Sequence, residues 1–176
     1  MVKISRRRFL QVGVTGAVVL GAAAWLNHEP DTPAQGMRAL NSAQAELIRA
    51  LAPVILAGMI PTESVARQTA LKEVVEAFDR GLAGMSLPVQ AEVEQLLGLL
   101  TFAPSRALVA GIWTSWPSAR EADITAFLLN WQTSRFVLLR AGFQALKQLM
   151  QACWFGNPLA WPAMGYALPP QAKDLL

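Results

Sequence analysis

From Asn41 to Phe155 the apolar residues recur at three- and four-residue spacing, punctuated by glycine and proline, and no sustained period-2 alternation occurs. This pattern excludes a sheet-based domain and predicts helices throughout. The first spans about Ser42 to Gly58, with Ser42 as its cap, Leu47, Ile48, Leu51, Val54 and Ile55 on one side, and Pro53 interrupting it. Ile60-Pro61-Thr62 reads as a turn. A second helix spans about Ser64 to Leu82, with Leu71, Val74, Val75 and Phe78 at core spacing, and ends at Gly81 or Gly84. A third opens near Pro88 and carries Val89, Val93, Leu96, Leu97 and Leu100. Phe102 to Trp116, broken by Pro104 and Gly111, is short helix or irregular. Ser118-Ala119-Arg120-Glu121 has the form of a capping box, a reciprocal pair of bonds at a helix start, ahead of Ile124, Phe127, Leu128 and Trp131. The last helix, about Ser134 to Trp154, carries Phe136, Leu139, Phe143, Leu146, Leu149 and Met150. The predicted fold class is all-α: a single irregular bundle of about five or six helices at 41–155, followed by an extended aromatic and proline-rich C-terminal tail at 156–176. Residues 27–40, polar and broken by Pro30 and Pro33, read as a linker that includes the chain's one histidine, His28.

The first 26 residues have a different character. Ser5, Arg6, Arg7, Phe9 and Leu10 fit the twin-arginine export signature, in which a serine and an arginine pair precede, after one residue, Phe-Leu. An ordinary basic flank before an apolar segment also carries arginines. Phe9-Leu10 at the right offset distinguishes the two, while Gln11 stands where lysine is commoner. The run from Phe9 to Leu26 holds Gly13, Gly16 and Gly21, which temper its hydrophobicity, as in signals of this type. It is just long enough to span a bilayer. Cleavage after Ala22-Ala23-Ala24 and retention as an anchor are the two outcomes, the first giving a periplasmic chain and the second an inner-membrane-associated one.

The leader also accounts for the basic balance. Of 15 basic residues four lie in it and none of the 12 acids does, leaving eleven against twelve, a net charge near −1 for the remainder. A nucleic-acid partner loses its electrostatic basis. One histidine and one cysteine, Cys153, assemble neither a metal cluster nor a nucleophile–histidine pair. There is no phosphate-binding glycine loop. Glu73, Glu76 and Asp79, three residues apart, read as a solvated helix face, as do Glu92 and Glu94; Asp123, Arg135 and Arg140 read as structural ion pairs between helices. No catalytic, cofactor-binding or metal-ligating residue is therefore assigned to this chain. Cys153 is either a small buried hydrophobe or, in an exported protein, half of an intermolecular disulfide. Six tryptophans suit either an aromatic core or a partner surface.

Beyond the last helix, Cys153-Trp154-Phe155-Gly156-Asn157-Pro158 and then Trp161-Pro162-Ala163-Met164-Gly165-Tyr166 with Pro169-Pro170 resemble the C-terminal signature of one family: the small (gamma) subunits of periplasmic FAD-dependent sugar and alcohol dehydrogenases, of the gluconate 2-dehydrogenase subunit 3 type. The Ile60-Pro61 turn, Ala77-Phe78-Asp79 and Arg140-Ala141-Gly142-Phe143 fit the same family loosely, and Ala167-Leu168 departs from its more usual glycine-containing step. The resemblance implies an all-helical accessory subunit with no cofactor of its own. It implies a catalytic partner of the glucose-methanol-choline oxidoreductase type that carries FAD and lacks an export signal, often with a multihaem cytochrome c subunit. It also implies joint passage through the twin-arginine translocon, with membrane contact through the signal segment. The partner interface is then expected at Cys153, Trp154, Phe155, Asn157, Pro158, Trp161, Pro162, Gly165 and Tyr166, with Cys153 available for a disulfide to the catalytic subunit. The alternative is a stand-alone periplasmic structural or binding protein whose tail folds onto its own bundle.

Overall fold

Asn41, not Ser42, caps the first helix. Its side chain accepts the Gln44 N–H at 2.9 Å, and the Gln44 side chain accepts the Asn41 N–H at 3.0 Å, a reciprocal box that satisfies donors the helix itself cannot. The computed structural model describes residues 32–167; the export signature, His28 and Pro169-Pro170 lie outside them. Helix α1 spans Ser42–Ile55, α2 Ser64–Ala83, α3 Leu87–Thr101, α4 the single turn Ala103–Ser105, α5 Glu121–Gln132 and α6 Val137–Phe155. No strand occurs among the described residues, and the all-α class is as the sequence predicts.

Two local expectations fail for identifiable reasons. The first helix stops at Ile55, one turn short of Gly58. Pro53 lies within it and has no N–H for the Arg49 carbonyl, which sits on the exposed side, so the ladder weakens there and ends within a turn. The capping box at Ser118 does not form. Ser118 closes the 3₁₀ turn Trp116–Ser118, and α5 begins one residue after Arg120. Its start is held instead by the Arg120 guanidinium, which donates two bonds to Asp123 at 2.8 and 2.9 Å and keeps that carboxyl below the ordinary carboxylate range.

Helix α1 is the central element. It touches α2, α3, α5, α6 and the Trp116 turn, and its Leu47, Ile48 and Leu51 are wholly buried. Around it pack Val74, Phe78 and Leu82 of α2, Leu97 and Leu100 of α3, Phe127 and Trp131 of α5, and Leu146, Met150 and Trp154 of α6. The α2–α6 pair makes the most extensive helix contact. An aromatic file runs through one side: Trp116 tilts on Phe127 at 6.0 Å, and Phe127 meets Trp131 edge-on at 4.9 Å. Both indoles are anchored, Trp116 Nε1 to the Leu100 carbonyl at 2.8 Å and Trp131 Nε1 to that of Val109 at 3.0 Å. Of the five tryptophans among the described residues, Trp116, Trp131 and Trp154 are core, Trp161 is half-buried and Trp113 is exposed. Most of the described tryptophans thus serve the core, and Trp113 stands outside it.

Between α4 and α5 the chain makes one π-helical turn, Arg106–Ala110, ended by Gly111 in the left-handed region at φ 71°. A side chain there would be strained. Arg106 ties the excursion down by donating to the Ile112 carbonyl at 3.3 Å and to that of Thr101 at 3.4 Å.

The end of the expected linker is fastened to the bundle. The N–H groups of Arg38, Ala39 and Leu40 all donate to the carboxylate of Asp79, at 2.8, 2.9 and 2.9 Å, and Leu40 is wholly buried. Asp79 itself is only 3% exposed, so it does not belong to a solvated face. It lies four residues after Val75 and three before Leu82, inside the apolar stripe of α2, where a carboxylate must find donors. Glu73 and Glu76 are half-buried; Glu76 meets Lys72 at 3.6 Å and Arg80 at 3.9 Å.

Candidate partner interface

Helix α6 delivers the expected interface residues, and they divide into an inner and an outer set. Trp154 is 1% exposed, with its indole N–H unpartnered among the described residues, so packing rather than hydrogen bonding holds it. Cys153 and Phe155 are half-buried. The Cys153 sulfur stands over Gly81 of α2, where a Cβ on that glycine would come within 3.0 Å of it. Burial pushes the Cys153 thiol up, with nearby Arg80 opposing weakly. Its thiolate is therefore suppressed at neutral pH.

The helix then ends, although Gly156 keeps right-handed geometry at φ −74°. The stop comes from Asn157 and Pro158. Asn157 Oδ1 accepts the Leu159 N–H at 2.9 Å, a local turn that competes with helix, and Pro158 has no N–H to continue one. Asn157 is nearly buried and its Nδ2 donates to Glu73 at 3.2 Å, which pins the tail to α2. Ala160 is wholly buried beside it.

From here the segment holds no α-helix or strand among the described residues, as its prolines predict. It is more compact than an extended strand, however, since it folds into two single 3₁₀ turns, Pro158–Ala160 and Pro162–Met164. Trp161 Nε1 donates to the Phe155 carbonyl at 3.2 Å. Gly165, at φ 69°, reverses the chain so that Tyr166 returns edge-on to Trp161 at 5.3 Å, its N–H bonded to the Trp161 carbonyl at 2.9 Å. Facing outward are Pro158, Leu159, Pro162, Met164, Gly165 and Tyr166. They form an aromatic and proline ledge presented on a fixed base.

Of the nine residues expected at the interface, Trp154 and Asn157 are committed to the chain's own bundle, and Cys153, Phe155 and Trp161 are shared between base and surface. Pro158, Pro162, Gly165 and Tyr166 remain available to a partner, joined by Leu159 and Met164, which sequence reasoning did not single out. Their signal was present in the alternation of prolines with large side chains after Asn157.

The expected inter-helix ion pairs do not involve Arg135 or Arg140. Arg135 lies over the Phe136 ring at 4.8 Å, and Arg140 donates to the Ser134 carbonyl at 2.6 Å. Phe136, expected in the core, precedes α6 as its cap residue and is exposed, because the helix starts one turn later than its apolar run suggests. Among the described residues no group of three histidine, cysteine or carboxylate side chains is placed to hold a metal ion, and no helix is long and apolar enough to cross a membrane. No protein-family model, curated protein or solved structure matches the chain.

Proposed function

We propose that this chain is a non-catalytic small subunit that binds a FAD-dependent dehydrogenase of the glucose-methanol-choline type, helps it mature and escorts it through the twin-arginine translocon to the periplasm. The observation that carries the reading is the outward ledge of the tail, Leu159, Pro162, Met164 and Tyr166, set on a buried base of Trp154, Asn157 and Ala160. A rigid aromatic surface loses little conformational entropy on docking, which is what an interface anchor needs. The Ser5–Leu10 signature supplies the export route, and the tail's sequence resemblance supplies the class of passenger. Folded export serves a chain without a cofactor because the passenger's FAD is inserted before crossing. A cytochrome c subunit is the further expected member of the complex.

The test is to recover the C-terminally tagged full chain from its native cells, record the flavin absorbance of the eluate and identify the co-eluting protein. A yellow eluate holding a large leaderless oxidoreductase is the expected result. A colourless, solitary chain would sink the proposal. That outcome would favour a second reading, a stand-alone periplasmic structural or binding protein, for which the specific support is the tail's attachment to its own bundle through the Asn157–Glu73 bond and Ala160.

A further inference from the structure

A second exposed apolar region lies where the π-helical turn meets the α5–α6 corner. The Trp131–Val109 bond holds the two together. From this region project Trp113 and Leu138, each 81% exposed, with Leu108, Leu129, Phe136 and Val137 also largely exposed. Side chains so open stand proud of the surface instead of lining a groove. Three arginines belong to the same two segments: Arg106, held by the Thr101 and Ile112 carbonyls, Arg135, laid over Phe136, and Arg140, held by the Ser134 carbonyl. Among the described residues none of the three is bonded to a carboxylate. The sequence explains why: no aspartate or glutamate occurs between Gln95 and Arg120, nor from Ile124 to Ala167. The first turn of α6 carries no acid either, so the positive end of that helix adds to the same side.

We infer that this corner docks on an anionic bilayer surface. Protruding Trp, Phe and Leu side chains enter the boundary between headgroups and acyl chains, and arginines at their base meet the lipid phosphates. Charge complementarity selects that occupant: the corner has apolar tips and unneutralised cations but no anion of its own to answer a partner's cations. A protein surface normally brings both signs. This inference is independent of the flavoprotein proposal, which uses the tail.

The full chain is the reagent; the label reads lipid contact at the corner itself, and the Phe9–Leu26 run is common to every variant compared, so only differences between variants are taken as the corner's own. An environment-sensitive fluorophore is attached at Leu138→Cys in a Cys153→Ala background and titrated with vesicles of phosphatidylcholine alone or with one third phosphatidylglycerol. A blue shift at an anionic lipid concentration at least tenfold below that needed with neutral lipid is expected. Arg135→Gln with Arg140→Gln should weaken the response by roughly 30-fold, at about one surface-cation equivalent each. Should the Cys153→Ala background not fold, vesicle co-sedimentation of the unlabelled chain against its Trp113→Ser/Leu138→Ser variant gives the same decision, with at least tenfold weaker binding of the variant expected. An unshifted label on vesicle-bound chain, equal binding of the serine variant, or equal response to neutral lipid overturns the inference. So does protection of the label by a co-purified protein in place of lipid, which would make the corner a protein interface.

Discussion

Replacing Asp79 by alanine removes the acceptor of three backbone N–H groups at once. The segment that carries them can still detach and hydrate its amides, so the loss is bounded by the bonds and by the burial of Leu40. A destabilisation of about 2–4 kcal/mol in urea unfolding is expected, with Asp79→Asn, which keeps one oxygen, costing less than half as much. Gly142→Ala sets two effects against each other. Helix propensity favours alanine by about 1 kcal/mol. But the new methyl would stand 2.7 Å from the Trp131 ring, which is buried, bonded to Val109 and wedged on Phe127, and cannot swing aside. Overpacking of this kind costs about 1–3 kcal/mol, so net destabilisation is expected, read from the same denaturant curves. Cys153 gives a pH test. Its folded-state thiol value lies above the ordinary one near 9. The native state therefore holds the proton more tightly than the unfolded chain. The linked stability is complete below pH 9 and falls as pH rises through the folded value; Cys153→Ala should abolish that alkaline decline. Alkylation of the native thiol at pH 8 should also be several-fold slower than in urea.

At the scale of elements, the helices were legible because each presents a broad apolar stripe, and α2 lies within one residue of its expected bounds. The ends were less so, since they are set by side chains whose partners are chosen in three dimensions. Asn41 takes the cap from Ser42 because Gln44 reciprocates, and Arg120 reaches Asp123 where a serine box was expected. Asp79 escaped the sequence reading because its donors are about forty residues away in the chain. The tail was legible in composition and not in posture, because nothing local announces that Asn157 reaches Glu73 or that Tyr166 returns to Trp161. That posture is testable. Asn157→Ala removes the Glu73 bond and the local turn, about 1–2 kcal/mol together, and should raise amide exchange at Leu159 and Tyr166 roughly tenfold while leaving the α1 core unchanged.

For the whole molecule the prediction concerns two chains. If the proposed escort role holds, Arg6→Lys with Arg7→Lys strands both this chain and its flavoprotein in the cytoplasm, whereas Leu159→Ser with Tyr166→Ala exports this chain alone. Fractionation with flavin fluorescence separates the two. Leu159 and Tyr166 are both exposed, so loss of fold does not explain export of this chain alone. The Asp79 clamp bears on the same geography. Ala34 N–H is bonded to the Leu40 carbonyl, and Arg38, Ala39 and Leu40 are fastened to α2, so the folded body begins at about Ala34 and not at Asn41. Eight residue steps separate Leu26 from Ala34, which bounds the distance between them at about 28 Å. Were the clamp undone, the first fixed residue would be Asn41, seven residues later, and that bound would rise by about 24 Å. The clamp thus nearly halves the greatest distance at which the bundle can lie from Leu26, and a pair of dyes at residue 26 and on α2, compared between the native chain and Asp79→Ala, would measure it.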